Sequence, residues 1–427
     1  MTMTTRGRRC LGTIASKEYP RAVDAAGGVV STALGGADIE QHRGYRYRLD
    51  LTPEQAALAR RTAGCARVVY NLALEQRSMW WRQGRKSIGY AAQCAQLVEL
   101  KAAYPWLREA PSHTLQQALR DLDRAFRNFF EGRAKYPRFR QRGRDDRFRF
   151  PDSTQFRVKG SHVQLPKFGM CAMRFSRPIP GQIRNVTVSY EAGHWYISFG
   201  TIEEMADPVT PTGEAIGLDV GVANAVTVSD GRQFAVAGWT PRMKARRLRL
   251  ERSIARKRRH SANQRKARAR LARLHARARR RRHDQIHKLT TTLAKNHSLI
   301  AVESLNIAGM TGSAKGTMEE PGTNVRAKAG LNREILERAW GEINRQLTYK
   351  TLWYGSDLVA FPAHYSSQEC SECGHVAAEN RPSQAVFRCV ACQHAEHADA
   401  NASKIILARG LNELAVGRTV NACGAAA

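Results

Sequence analysis

The chain has 427 residues and carries 69 Lys and Arg against 37 Asp and Glu, a formal charge of +32. Its 42% hydrophobic content is ample for buried cores spread over about two to four domains. A small-molecule enzyme has no need of such an excess of cations; a polyanion-binding protein does. No apolar run reaches the roughly 18 residues that span a bilayer, and no secretory leader is visible. The expected partner is therefore nucleic acid rather than a membrane, and the expected compartment is the cytoplasm.

Residues 1–41 show no sustained period and include the Gly/Ala-rich piece AAGGVVSTALGGA, expected as a disordered leader. Tyr45-Arg46-Tyr47-Arg48-Leu49 alternates as a strand does. Thr52-Pro53-Glu54-Gln55 then reads as a helix start, and two further helices are expected before Tyr104 and after Pro111-Ser112. The stretch 133–149, RAKYPRFRQRGRDDRFR, mixes arginines with aromatics. It reads as a strip for phosphates and bases, or as a solvated loop with anchoring rings. Alternating segments at 156–158, 162–165, 185–190 and 194–199 predict a small β-barrel or sandwich, with Glu191-Ala192-Gly193 as a hairpin turn.

A Pro-containing linker leads to the apolar strand ending at Asp219, followed by two more strands around 226–228 and 234–236. Residues 242–282 hold twenty Lys and Arg and one acid, Glu251. Leu250, Ile254, Leu271 and Leu274 punctuate this run at helical spacing, so a helical hairpin with a cationic outer face is predicted. Cations left unbalanced in this way repel one another, and a bound polyanion relieves the repulsion. Next come a strand at 299–302, a long helix around 331–355 and a strand at 358–361. A last helix is expected from Asp399 to Arg409, with Gly410 stopping it.

Of nine cysteines, Cys10, Cys65, Cys94, Cys171 and Cys423 are scattered. Cys370-x2-Cys373, fifteen residues, then Cys389-x2-Cys392 has the spacing of a four-thiolate zinc ribbon. Four thiolates close the coordination shell, so this Zn2+ is expected to be structural. Three acids form a second constellation. Asp219 and Glu303 each end an apolar strand, and Asp399 opens the last helix. Clustered carboxylates raise one another's pKa, and two divalent cations offset that repulsion. Oxygen ligands favour Mg2+ or Mn2+.

The segments GLDVGVANAVTVSDG, LIAVESLN and SSQECSECG…FRCVACQ…ADANAS resemble TnpB, the OrfB-type family of transposon-encoded RNA-guided nucleases, and the compact type V CRISPR effectors. ARVVYN at 66–71, KYPRFR at 135–140, RNVTVSYEAGHWYIS at 184–198 and WGEINRQLTYKTLWYG at 340–355 extend the likeness over about 42–410. The resemblance implies an α/β multidomain protein. It would comprise an RNase H-like RuvC nuclease domain at 212–365 and 396–410, including the basic hairpin 240–296, and an inserted zinc ribbon at 366–395. It further implies a wedge β-barrel at 42–50 and 148–211, a helical recognition unit at 51–147 and a tail at 411–427.

Asp219, Glu303 and Asp399 would be the catalytic, Mg2+-binding acids of an endonuclease that pairs guide RNA with target DNA beside a short flanking motif. Candidate nucleic-acid contacts are Tyr70, Asn71, Tyr136, Arg138, Arg140, Phe148, Arg149, Arg256, Arg259, Arg270 and Arg277. The chain departs from the family pattern at Gln393, where Gly often follows the fourth Cys, and at His397, where an acid often stands. Those departures leave room for an RNA-guided DNA binder without cleavage; a guide-independent nuclease is a third reading. Monomer and dimer remain equally open.

Overall fold

The computed structural model describes residues 39–206, 208–361 and 365–424, with side chains through residue 415. These divide into two compact units. One combines 39–206 with 237–283, and the other combines 208–236 with the described residues from 284 onward. Apart from residues 39–41, the expected leader lies outside the described residues.

In the first unit, β1 (Ile39–Asp50) is followed by four helices: α1 (Pro53–Gly84), α2 (Tyr90–Ala95), α3 (Leu97–Ala103) and α4 (Ser112–Phe130). The remaining strands are β2 (Arg147–Phe150), β3 (Arg157–Lys159), β4 (His162–Leu165), β5 (Gly169–Met173), β6 (Gln182–Glu191) and β7 (His194–Met205). They form one antiparallel sheet in the order β2-β6-β7-β1-β5-β4-β3. The sheet curls around an aromatic core, with Phe148 of β2 stacked 5.6 Å from Phe168 in the β4–β5 turn. Its two edge strands are not paired with each other among the described residues.

β1 starts six residues before the alternating pattern does. Its inward positions there are polar: Gln41 and Arg43 join Glu203, which accepts from Tyr45 Oη at 2.7 Å and pairs with Arg43 Nη1 at 3.2 Å. Thr52 caps α1 reciprocally with Gln55, as its sequence predicts. The basic hairpin is α5 (Pro241–Ala255) and α6 (Ala262–Asn296). The expected nuclease domain includes it, yet residues 237–283 belong to the unit of the curled sheet. The reason is local: Arg279 pairs with Glu191, and Arg280 Nη1 donates to Tyr196 Oη at 3.1 Å.

The second unit is built on β8 (Ile216–Asp219), β9 (Val226–Val228), β10 (Gln233–Phe234), β11 (Leu299–Glu303) and β12 (Asp357–Phe361). Their order is β10-β9-β8-β11-β12; β8, β9 and β10 are antiparallel, whereas β11 runs parallel to β8 and β12. Between β11 and β12 lie α7 (Ile307–Met310), α8 (Val325–Arg338) and α9 (Trp340–Tyr354). The single long helix expected around 331–355 is thus two. Ala339 breaks it with φ +57°, and the residues on either side reach the loop after β8: Arg338 Nε donates to Val222 O at 2.7 Å and Trp340 Nε1 to Gly221 O at 3.2 Å.

After β12 come the hairpin β13 (Val386–Arg388) and β14 (Ala395–His397), then α10 (Ala398–Gly424). Gly410 does not stop α10. Its role is close approach, because a Cβ there would lie 2.4 Å from Ala301 Cβ on β11. Gly217 on β8 does the same from the sheet side, where a Cβ would meet Ser403 O at 2.1 Å and Leu407 N at 2.6 Å. Two missing side chains therefore let α10 lie directly on the sheet. Gly217→Ala is expected to destabilise the fold by about 2 kcal/mol in denaturant unfolding, as overpacking against backbone does. Gly330→Ala, where no atom lies within 4 Å of the added Cβ on α8, is the control and should be neutral or stabilising.

Candidate functional site

Asp219 and Glu303 end neighbouring parallel strands. Register pairs Ile300 with Ile216, Ala301 with Gly217 and Val302 with Leu218, so the next step sets Glu303 beside Asp219, one strand spacing of about 4.8 Å away. Both acids project from the carboxyl ends of their strands, where sheets of this kind present ligand sites. Asp399 enters from the first turn of α10 and is 8% exposed. Gly221 has no side chain to intervene: a Cβ there would lie 3.5 Å from Asp399 Oδ2.

The electrostatics confirm that the three groups feel one another. Burial, then the charges of Glu303 and Asp399, push Asp219 up to about 7, against an opposing pull from Arg381. Arg381 Nη2 stands 3.4 Å from Asp399 Oδ1, and Ser366 Oγ donates to Glu303 Oε1. His397, where an acid was expected, accepts at Nδ1 from the Asp399 N–H at 3.3 Å. Three carboxylates with this little positive charge among them suit hard divalent cations.

The four cysteines close a second site. Among the described residues they are the one set of three or more Cys, His, Asp or Glu whose ligand atoms all lie within 4.8 Å of one another. Cys370 Sγ lies 3.6 Å from Cys392 Sγ, and Cys373 Sγ lies 3.6 Å from Cys389 Sγ. A tetrahedron of thiolates around zinc at about 2.3 Å has edges of about 3.8 Å, so the sulfurs fit such an ion. The two turns repeat one design. Cys370 N donates to His375 O and Cys389 N to His394 O; Gly374 N donates to Cys370 O and Gln393 N to Cys389 O. Asn380, fully buried, staples them together through Gln368 O, His375 O and the Val390 N–H.

The eleven residues singled out as nucleic-acid contacts separate into two groups. Phe148 is 3% exposed inside the sheet core and presents no surface to a base. Tyr70 is buried with Arg140 3.9 Å over its ring; the Asn71 carboxamide donates to Arg140 O and accepts from the Arg140 N–H, and Arg140 pairs with Asp121 at 2.7 Å. Burial takes Phe148 out of reach of a base, whereas Tyr70, Asn71 and Arg140 hold one another in place, and Tyr70 and Arg140 line a cavity of this unit. Arg138 is exposed, and Arg149 donates to Thr187 Oγ1 at 3.1 Å; both line a cavity of about 370 Å³ with Arg124 and Arg147. Tyr136 is 49% exposed with its hydroxyl 2.7 Å from Ser78 Oγ. Arg256, Arg259, Arg270 and Arg277 are exposed on or between α5 and α6. Sequence reading assigned no role to Arg381 and Arg338, which have no local pattern to mark them, nor to Ser366 and Trp340, which open the family-like segments SSQECSECG and WGEINRQLTYKTLWYG.

A family profile described as "Probable transposase" matches residues 186–314, and one for a Cas12f1-like TNB domain matches 340–406. A protein of Escherichia coli (strain K12), "Putative RNA-guided DNA endonuclease InsQ", is 43% identical over 88% of this chain and 94% of its own length. A "Putative RNA-guided DNA endonuclease" of Streptomyces pristinaespiralis is 35% identical over 88% of this chain and 91% of its own length. The chain belongs to the TnpB family. The fold of this TnpB chain is also that of a protein solved by cryo-EM as a "Cas12f1-sgRNA-target DNA complex", with a TM-score of 0.51 and 14% identity over 83% of each chain. A third profile, described as a helix-turn-helix domain, matches TnpB residues 41–86, where the structure has strand β1 and the single uninterrupted helix α1.

Gln393 sits at φ +63°, the position where its counterpart turn has Gly374 at +72°. A left-handed residue with a Cβ costs about 1 kcal/mol. Gln393→Gly is therefore expected to stabilise the cysteine module by about that amount, read as slower loss of metal to a chelator. An unchanged or faster loss would show that the turn carries no such strain.

Proposed function

We propose that this chain is an RNA-guided DNA endonuclease that binds a guide RNA and its DNA target and hydrolyses a DNA phosphodiester at Asp219, Glu303 and Asp399. The observation that carries the reading is the convergence of these acids: two in register on adjacent parallel strands, the third delivered by α10. The sheet order, with three antiparallel strands followed by two parallel ones, supports an RNase H-like RuvC domain over 212–365 and 396–410, less residues 237–283 of the basic hairpin region. The four-thiolate cluster supports a zinc ribbon at 366–395 with one structural Zn2+. The curled sheet would serve as the wedge and α1–α4 as the recognition unit. The names of the relatives and the net charge of +32 support guide RNA and target DNA as the partners. The bacterial cytoplasm, where guide and target meet, is the proposed compartment.

When bound, two Mg2+ or Mn2+ ions would polarise the attacking water and neutralise the leaving oxygen of the phosphodiester. The chain's own groups prepare for that. Asp219 and Glu303 supply oxygens from one side of the sheet edge, and Asp399 supplies them from the helix above. Arg381 already lies within reach of Asp399, and a guanidinium there is placed to pair with the non-bridging oxygens of the scissile phosphate. Ser366 holds Glu303 Oε1 in one orientation. The presence of all three acids favours cleavage over a guided binder that no longer cuts.

The test is single-turnover cleavage of matched target DNA by the guide-loaded protein in Mg2+. Asp219→Ala is expected to abolish cleavage while gel-shift binding of the target persists. Arg381→Ala is expected to slow cleavage by about a hundredfold, the scale for removing one charge-stabilising group. Persistent cleavage by Asp219→Ala would place the active site elsewhere.

A further inference from the structure

The first cysteine turn is tied to α10 by a side chain that the chemistry above does not use. Asn401 is fully buried two residues beyond Asp399. Its Oδ1 accepts from the Ser371 N–H at 2.9 Å, and its Nδ2 donates to Glu369 O at 2.7 Å. These are the backbone groups on either side of Cys370. The carboxamide therefore reads the main chain of one metal-ligand turn, with both its donor and its acceptor satisfied. Two turns further along α10, Arg409 pairs with the Glu369 side chain. From the segment between the two cysteine turns, Arg381 reaches Asp399 itself.

Consider what this does mechanically. The module from 366 to 397 has a very small core: Phe387 with Cys370, Cys389 and Ala398. Its shape is set by the sulfurs and their metal rather than by packing. Cys370 is 1% exposed, so a change in its turn is transmitted to whatever it touches. What touches its flanking backbone is Asn401, and one helical turn holds both Asn401 and Asp399. A shift of the turn would move the Asp399 carboxylate relative to Asp219 and Glu303, which are fixed in β-sheet register.

We propose that Asn401 is a positioning residue that couples the thiolate metal site to the acid site, so that zinc in the ribbon sets the geometry with which Asp399 meets its divalent cation. This rests on the reading of Asp219, Glu303 and Asp399 as a metal site. Coupling of this kind is reciprocal: an occupied acid site would in turn slow the release of zinc. A neutral carboxamide suits the role. It bonds one N–H and one C=O at once, which neither a carboxylate nor an aliphatic side chain does.

The experiment uses the full chain loaded with guide RNA and no target. Mn2+ binding is followed by electron paramagnetic resonance, and zinc release to a colorimetric chelator is timed with and without Mg2+. The ions lost in Asp219→Asn define the acid site. In the parent chain, Mg2+ is expected to slow zinc release. In Asn401→Ala, zinc stoichiometry should remain one per chain and guide RNA should remain bound. Mn2+ affinity at the acid site should fall about tenfold, the lower end for loss of a group supporting a metal ligand, and Mg2+ should no longer affect zinc release. If Asn401→Ala sheds zinc, Asn401→Gln carries the same comparison, since it keeps a neutral carboxamide and displaces it by one methylene from Ser371 and Glu369. Parent-like Mn2+ affinity and a parent-like Mg2+ effect in a zinc-loaded variant would overturn the coupling alone. If the parent chain itself shows no Mn2+ sensitive to Asp219→Asn, the acid site falls, and the coupling with it.

Discussion

The structure of the second unit depends on one close contact, the seating of α10 on the sheet at Gly217 and Gly410. Strands β8 and β11 deliver Asp219 and Glu303 by register alone, which is a local and robust arrangement. The third acid has no such guarantee, since it lies 96 residues after Glu303 in the chain. It reaches the same point because backbone meets backbone at Ser403 and Leu407 over Gly217, and because Gly410 lets the next turns lie flat on Ala301. A methyl group at either glycine would lift the helix away from the strands it must touch, and Asp399 would move with it.

That arrangement concentrates negative charge in a buried place. The fold tolerates it with modest relief: Arg381 beside Asp399, Ser366 on Glu303, and the amino end of α10 under Asp399. Asp219 registers the imbalance as a carboxyl pushed up to about 7. In the function proposed above, divalent cations would complete such a site, and a nucleic-acid backbone would meet metal and guanidinium together. The cysteine module contributes in a different currency. It has almost no core, so its shape rests on the four cysteines and what they can hold, and it presents Arg381 and the backbone on either side of Cys370 to α10.

How much of this was legible beforehand follows the range of the interactions. The cysteine spacing was legible because each pair sits on its own turn and the chemistry is local. Asp219 and Glu303 were legible because each ends an apolar strand. Arg381 was not, being one of 69 cations with no pattern around it. Gly410 reads as a helix stop, because a glycine in sequence does not say whether it ends a helix or lets one pack closely. The break falls on Ala339 rather than on the nearby Gly341, and tertiary bonds from Arg338 and Trp340 hold it there. The early start of β1 was hidden because its inward residues are polar and find Glu203 across the sheet. Aromatic and basic residues were the least reliable guide. Phe148 has the composition of a nucleic-acid contact, and its burial makes it part of the scaffold.

The central claim is that this protein cuts DNA chosen by an RNA it carries. The most direct measurement is to sequence the RNA that purifies with the protein, replace its variable end with a new sequence, and map Mg2+-dependent cuts on a DNA library. The account predicts one bound RNA species and cuts that move to the newly matched sites. Cuts that stay in place when the guide changes, or that appear without RNA, would contradict it.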